Sequence, residues 1–229
     1  MKLLYYHGTS AESCNEIIKK GFLKPSMGDN HWLGDGYYFY QEEEYAFRWI
    51  FIKYKKLFPK VDFFNCDRIF ERYSILSADL DEKCRFFSLD EPNDKIFFIR
   101  VKKELEEKAE HSERFSAQIK KSGIVDGVVI NILFEYMGFD KKYEAVKAMF
   151  PISVADGDSR LEYLPEEQVC VKDICVIKNI KKYNSDEVPE KYKHFMNEYT
   201  MAKDILRKSM RDNKVKKYEK RINTKYTYK

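Results

Sequence analysis

The chain has 229 residues, of which 44% are hydrophobic and 16% aromatic, enough apolar side chain to fill one core and to exclude a chain that is disordered throughout. The net charge of +4 is unevenly placed: residues 203–229 contain 11 lysines and arginines against 3 acidic residues, whereas residues 1–202 carry a net charge of −4. There is neither a run of about 18 apolar residues nor a signal-peptide pattern, so we expect a soluble cytoplasmic protein without a membrane partner. An effector exported without a leader would have the same pattern.

The five cysteines are odd in number and lack C-x-x-C spacing, which argues against a disulfide framework and against a zinc ribbon. His31, His111 and His194 also lack the spacing of metal ligands. We therefore expect no metal site.

The N-terminal stretch predicts a strand over residues 3–6 that ends at His7 and Gly8. Thr9 and Glu12 have the spacing of a capping box, which predicts that a helix begins there. His7 and Gly8 are thus expected at a strand-to-helix junction, where backbone N–H groups and a titratable ring are open to a ligand.

A glycine turn and an aromatic run follow. Gly34 and Gly36 flank Asp35 and permit backbone angles that other residues resist, so the chain can bend before Tyr37-Tyr38-Phe39-Tyr40 continues as a strand. Residues 42–58 are predicted to form a helix, because glutamates occupy the first turn and lysines lie toward the end, as the helix dipole favours. A turn followed by this row of aromatic side chains is suited to bind a ligand with a flat ring.

The middle of the chain predicts a strand over 73–80, a helix over 94–110 and a short helix over 112–121. The β-branched run 124–130 predicts a strand buried on both faces. Residues 151–165 contain prolines, a glycine and aspartates and are predicted to form a loop.

Strict alternation predicts a strand over residues 166–173. Val169 and Val171 should face the core, with Gln168 and Glu166 on the other face. A further strand is predicted over 175–180. We expect a domain over residues 1–182 and a basic, tyrosine-dotted helical extension over 183–229.

The order of these motifs resembles that of ADP-ribosyltransferases of the poly(ADP-ribose) polymerase and diphtheria-toxin type, a group named for its His, Tyr and Glu triad. His7-Gly8-Thr9 is similar to the family's His-Gly-Ser/Thr, and Gly34-Asp35-Gly36-Tyr37-Tyr38-Phe39 to its Gly-x-Gly-x-Tyr-Phe. The resemblance covers residues 1 to about 182 and implies an α+β fold with a split, mixed or antiparallel sheet flanked by helices.

The resemblance also implies NAD as co-substrate and assigns roles. Gly8 would pair through its backbone with the nicotinamide carboxamide, and Tyr38 would stack on the nicotinamide ring, with Trp49 or Tyr45 on its other side. His7 would bind a ribose hydroxyl, with assistance from Thr9. Gly36 would belong to the same binding motif.

The third motif departs from the family. Alignment on Asp173 puts Gln168 at the glutamate position, with Glu166 on the same face and Glu167 facing the core side. The resemblance extends to bacterial members of the clan that also have glutamine at this position. Without the glutamate, the resemblance implies transfer of a single ADP-ribose rather than polymer synthesis. Catalysis could use Gln168, Glu166 or Glu167, and the sequence leaves this open.

The acceptor is also open. The basic tail, interleaved with tyrosines, favours a nucleic-acid target, RNA or DNA. The alternatives are a protein target, with the tail docking an antitoxin protein, and a degenerate NAD-binding module without turnover. Resemblance to compact bacterial members implies a toxin of a toxin–antitoxin or phage-defence system.

Overall fold

The fold is built on a seven-stranded mixed sheet in a computed structural model that describes residues 4–28, 31–61, 66–110, 124–153, 163–183 and 190–191. The strands are β1 (Leu4–Ser10), β2 (Tyr37–Tyr40), β3 (Tyr73–Leu80), β4 (Phe86–Ser88), β5 (Ala145–Ser153), β6 (Tyr163–Val171) and β7 (Ile177–Lys182). Their spatial order is β4-β5-β6-β2-β1-β3-β7, with only the β4–β5 pair parallel.

Four α-helices flank the sheet in the described part of the chain: α1 (Ala11–Lys20), α2 (Glu43–Leu57), α3 (Pro92–Glu110) and α4 (Asp126–Tyr136). Short 3-10 helices span Asp67–Glu71, Phe139–Lys141 and Ile174–Val176. An α+β architecture with a mixed sheet and flanking helices is therefore confirmed.

The two faces of the sheet have different covers because side chains alternate along each strand. Phe39 and Val169 belong to a core that includes Cys14 and Ile17 of α1. On the opposite face, Tyr40 packs in a core with α2. Cys170 contributes to a third core on that face with α3 and α4. The second face therefore has a gap between α2 and the α3–α4 pair.

The sheet is weakly joined in its middle. β1 pairs with β3 along seven consecutive residues, but β1 and β2 are registered through one pair, Tyr6 and Tyr40. Beyond that pair the two strands separate. The separation leaves a backbone edge of β1 next to the gap between the helices.

The predicted strand over 124–130 is wrong, because these residues begin α4. A short apolar run fits a buried helix as well as a buried strand, and here the apolar pattern continues to Phe134. Gly127 lies in the first helical turn, where a Cβ would be 1.8 Å from the carbonyl oxygen of His31. Packing of the glycine turn against the helix accounts for this glycine.

The predicted loop over 151–165 is also wrong at both ends. Pro151 and Pro165 face each other in the antiparallel β5–β6 pair. Within this segment, residues 154–162 lie outside the described part of the chain. The sequence pattern had not indicated β5. The predicted helix over 112–121 lies outside the described residues, as does the 183–229 extension except for Tyr183, Glu190 and Lys191.

At the N-terminus, β1 runs through His7 and Gly8 to Ser10, so the predicted junction at these two residues is wrong. Ser10, not Thr9, is the N-cap of α1: its Oγ accepts a hydrogen bond from the Ser13 N–H at 3.0 Å. The remaining predicted strands and helices occur with boundaries shifted by a few residues, as is usual at element ends.

Candidate functional site

A pocket of about 410 Å³ lies in the gap beside α2, over strands β1, β2 and β6. Its sheet side is formed by His7, Gly8, Tyr38, Tyr40, Glu166 and Gln168. Its helix side is formed by Arg48, Trp49, Ile52 and Lys53 of α2, and its rim by Ser26, His31 and Trp32. The three sequence motifs therefore meet in one cavity, although the third lies more than 100 residues beyond the other two along the chain.

The backbone of Gly8 points toward this cavity. Gly8 is registered with Ile75 of β3, whose carbonyl oxygen accepts a hydrogen bond from the N–H of Tyr183 at 3.0 Å on the far side. The Gly8–Ile75 pair is therefore of the non-hydrogen-bonded type, since both backbone groups of one residue point to one side in antiparallel pairing. The N–H and C=O of Gly8 thus face the side from which β2 has separated.

Gly8 also has a packing role. A Cβ at this position would lie 2.8 Å from the carbonyl oxygen of Ala46 and 2.8 Å from Cγ2 of Ile50, both in α2. A side chain here would push α2 away from the sheet. Glycine therefore allows the close helix-to-strand approach that narrows the pocket.

His7 spans the separation between β1 and β2. Its Nδ1–H donates to the carbonyl oxygen of Tyr38 at 2.7 Å, and its ring lies 5.6 Å from that of Phe39. Burial lowers the pKa of His7, an effect partly opposed by this hydrogen bond. The ring is therefore neutral at neutral pH, and Nε2 is left as a hydrogen-bond acceptor.

Tyr38 has its hydroxyl fully engaged and its ring on the pocket wall. The hydroxyl donates to the carbonyl oxygen of Gly34 at 2.7 Å and accepts from the N–H of Leu33 at 3.0 Å. Burial raises the pKa of Tyr38 well above its ordinary value, so the hydroxyl stays protonated. The part of Tyr38 available to a ligand is the ring rather than the hydroxyl.

The glycine turn is held by side chains from two other elements. Asn131 of α4 accepts from the N–H of Asp35 at 2.7 Å, and Lys172 donates through Nζ to the carbonyl oxygens of Leu33 and Asp35 at 2.8 and 2.5 Å. Burial lowers the pKa of Lys172. Gly34 has φ +73°, and a Cβ there would lie 2.3 Å from Oδ1 of Asn131. The turn is thus rigidly placed.

Two buried polar side chains and a partly exposed arginine form a connected chain on the β6 side of the pocket. The Nε2 of Gln168 donates to Oε1 of Glu166 at 2.5 Å, and Oε2 of Glu166 accepts from Nη1 of Arg48 at 2.8 Å. The Glu166 side chain is 4% exposed, whereas that of Arg48 is 31% exposed. Because Nε2 of Gln168 is bound to Glu166, its amide oxygen remains as the acceptor.

The predicted orientation of the β6 residues is confirmed. Gln168 and Glu166 share a face and touch, while Glu167 points to the other face and lies 3.3 Å from Nζ of Lys147. Val169 and Val171 are fully buried. Glu167 therefore does not reach the pocket.

Among the remaining predicted ligand residues, only Trp49 lines the pocket, where Nζ of Lys53 lies 5.0 Å from its ring centroid. The hydroxyl of Tyr45 instead donates to the carbonyl oxygen of Pro165 at 2.7 Å, tying α2 to β6. Thr9 is buried within β1 away from the cavity. Gly36 lies against β6, where a Cβ would meet Sγ of Cys170 at 2.6 Å.

Sequence reasoning missed Arg48 and Tyr40 as pocket residues. Tyr40 is two positions from Tyr38 on the same strand, so the period of two could have placed it on the pocket face. Burial and the neighbouring Glu166 raise the pKa of Tyr40. Arg48 had no local signal, because its partner is distant in sequence.

Metal ligation has no support within the described residues, where no group of three His, Cys, Asp or Glu side chains is arranged to hold an ion. No helix there is long and apolar enough to cross a bilayer.

The chain is 32% identical over 210 residues to the uncharacterized protein MJ0359 of Methanocaldococcus jannaschii, an alignment that covers 84% of this chain and 92% of that protein. The chain belongs to the MJ0359 family. No family model and no solved structure matches it. The name of the archaeal relative gives no activity, so the chemistry of the MJ0359 family has to be inferred from the pocket.

Proposed function

We propose that this protein is an NAD-dependent mono-ADP-ribosyltransferase with an ADP-ribosyltransferase-like fold. The observation that carries the proposal is the convergence, in one pocket, of the free backbone edge at Gly8, the ring of Tyr38 and the polar chain that ends at Gln168. Each of these three features corresponds to one part of the nicotinamide riboside half of NAD. The motifs around Gly8 and Tyr38 carry the resemblance of the sequence to that family, whereas Gln168 stands where the family has glutamate.

Binding would begin at the separation of β1 and β2. The N–H and C=O of Gly8 offer a donor and an acceptor side by side, which complements a carboxamide. The ring of Tyr38 would stack on nicotinamide, and Trp49 stands on the opposite side of the pocket. The neutral His7 would accept a hydrogen bond from a ribose hydroxyl through Nε2.

The reaction would break the bond between ribose C1′ and the nicotinamide nitrogen. The bonding electron pair leaves with nicotinamide, which becomes neutral, while positive charge develops on the ribose ring. The amide oxygen of Gln168 would accept a hydrogen bond from a hydroxyl of that ribose. An oxygen that places negative potential next to the ribose ring stabilises the positively charged transition state more than the ground state.

Glu166 would strengthen this effect without touching the substrate. Its carboxylate holds the amide N–H of Gln168, and a hydrogen bond of this kind increases electron density on the amide oxygen. Arg48 compensates the buried charge of Glu166. In this arrangement the missing family glutamate is replaced by a glutamine that a glutamate polarises.

The acceptor in this proposal is a nucleic acid, and a growth-inhibiting toxin with an antitoxin partner is the corresponding biological role. The test is incubation with radiolabelled NAD and cell lysate, followed by separate nuclease and protease digestion. Loss of label with nuclease supports the proposal. Loss with protease alone would show a protein acceptor instead, and absence of both label and nicotinamide release with NAD bound would indicate a binding module.

The matched variants are Gln168→Ala and Glu167→Ala. Gln168→Ala is expected to lower the rate of nicotinamide release by about 10²-fold or more, because it removes the group nearest the developing charge. Glu167→Ala makes a similar change at the next residue but on the opposite face, and should leave the rate within about twofold. Equal rates for both variants would contradict the assignment of Gln168.

A further inference from the structure

A second cleft, of about 310 Å³, lies on the same face of the sheet between β5 and α3. Ala148 and Phe150 of β5 and Phe98 of α3 form its apolar walls. Trp32 lines both this cleft and the pocket described above, and therefore stands at their boundary.

The register of β5 and β6 places the two cavities side by side. Ala148 is paired with Gln168, and Phe150 with Glu166. Cross-strand partners in antiparallel pairs project from the same face about 5 Å apart. The walls of the second cleft thus adjoin the polar chain of the first, on the side away from His7 and Gly8.

Flat aromatic surface is available at the boundary. Trp32 is 57% exposed, and its ring centroid lies 4.8 Å from that of Phe150 at an interplanar angle of 43°. An exposed tryptophan next to a reactive pocket is a stacking platform for a planar base. Because the Trp32 ring adjoins Phe150 in a concave cleft, the two rings form a contiguous apolar surface of the kind found in ligand-binding grooves.

The charged groups of the cleft come from three elements. Lys95 and Lys102 line it from α3, Asp126 lines it from α4, and Asp90 lines it from the turn before α3. Both acids have partners: Asp90 accepts from the N–H of Met149 at 2.9 Å, and Asp126 pairs with Lys102 at 2.7 Å. Because Lys102 is engaged by Asp126, Lys95 is the lysine of this cleft that is better placed to approach a phosphate.

We propose that this cleft, defined by Trp32, Phe150 and Lys95, binds the acceptor strand of a single-stranded nucleic acid, a proposal that rests on the transferase activity above. One base would stack on Trp32 and a neighbouring phosphate would lie near Lys95. A nucleophilic oxygen or nitrogen of the strand forms a bond to ribose C1′ as the C1′–nicotinamide bond breaks. The nucleophile loses its proton to water, and nicotinamide leaves with the electron pair.

The experiment measures binding separately from turnover. A fluorescein-labelled, mixed-sequence single-stranded oligonucleotide, as RNA in one arm and DNA in the other, is titrated with the full chain in the absence of NAD, and anisotropy is followed. Trp32→Ala is expected to weaken binding about tenfold or more. Lys95→Glu is expected to weaken binding and to reduce the slope of the logarithm of affinity against the logarithm of salt concentration by about one.

Lys103→Glu is the matched control, since it makes the same charge change at an exposed position of α3 outside the cleft. It should leave affinity within about twofold. In the Trp49→Phe variant, Trp32 is the remaining tryptophan of the chain, and its fluorescence should be quenched by the oligonucleotide.

Failure of either proposal has a distinct signature. Nicotinamide release by the wild-type protein without oligonucleotide binding in either arm would overturn the acceptor cleft alone. Oligonucleotide binding without nicotinamide release would overturn the transferase. Equal affinity for Lys95→Glu, Trp32→Ala and wild type, or protease-sensitive labelling that Lys95→Glu abolishes, would also overturn the assignment of this cleft.

Discussion

The two sides of the main pocket are constructed differently. On the turn side, Tyr38, Asn131 and Lys172 all bond to the backbone of residues 33–35, so these side chains have structural partners. On the β6 side, the buried Gln168 and Glu166 and the partly exposed Arg48 form a chain of three polar groups. The polar groups of the first side are needed to hold the turn in its fold. Those of the second side carry a desolvation penalty that apolar residues in the same wall would avoid. Chemistry is therefore most strongly indicated on the β6 side.

Substitution of Gly34 by alanine should have the largest effect and tests the turn side. A Cβ at φ +73° would collide with Oδ1 of Asn131 and with the carbonyl oxygen of Gly127 at 2.8 Å. We expect a loss of about 2–5 kcal/mol in the free energy of unfolding, measured by denaturant titration.

Gly21→Ala separates backbone strain from collision. Gly21 has a similar φ of +65° at the end of α1, but a Cβ added there would have no described atom within 4 Å. Its replacement should cost about 1–2 kcal/mol in the free energy of unfolding. Equal costs at Gly21 and Gly34 would mean that the turn is not rigidly packed against α4.

Substitution of Arg48 by alanine tests the β6 side. It leaves the buried Glu166 without its cation, and we expect a loss of about 2–3 kcal/mol in the free energy of unfolding, below the range for fully buried pairs because Arg48 is partly exposed. Nicotinamide release should fall as well. Adding Glu166→Gln to Arg48→Ala should restore most of the stability but not the rate, whereas recovery of both would show that Glu166 has no role in polarising Gln168.

A smaller effect is expected at His7, which links the two strands at the back of the pocket. Burial lowers its pKa, so below the ordinary histidine pKa of about 6.5 the unfolded chain binds a proton that the folded chain does not. Stability should therefore decrease as the pH falls from about 6.5 toward the lowered pKa. In His7→Gln this part of the pH dependence should disappear; an unchanged pH profile in denaturant titrations would contradict a buried, neutral ring.

Local patterns account for what the sequence predicted well. Each of these patterns lies within one stretch of the sequence. They are the glycine turn, the alternation of residues in β2 and β6, and the order of acidic and basic residues along α2. Segment 124–130 was misassigned because apolar runs of that length do not distinguish a helix from a buried strand. Arg48 could not be found locally, since its role depends on Glu166, which is 118 positions away.

The motif residues divide in the same way. Tyr38, Gly8 and Gln168 were placed in the pocket by their motifs, but the reason for a glycine at position 8 includes contact with Ala46 and Ile50, which only the packed helix reveals. Tyr45 and Trp49 were indistinguishable in sequence. The structure separates them, because the hydroxyl of Tyr45 is used to bond Pro165 while Trp49 faces the cavity.

The two borders of the sheet have a consequence for self-association. An exposed strand edge is a template on which a strand of another copy can add. One border here is β4, which is only three residues long, and the other is β7, where Lys178, Lys181 and Lys182 occupy half of the six positions. A short strand offers few backbone groups, and repeated lysines repel an identical lysine-bearing strand. Both borders thus oppose edge-to-edge growth of the sheet into aggregates.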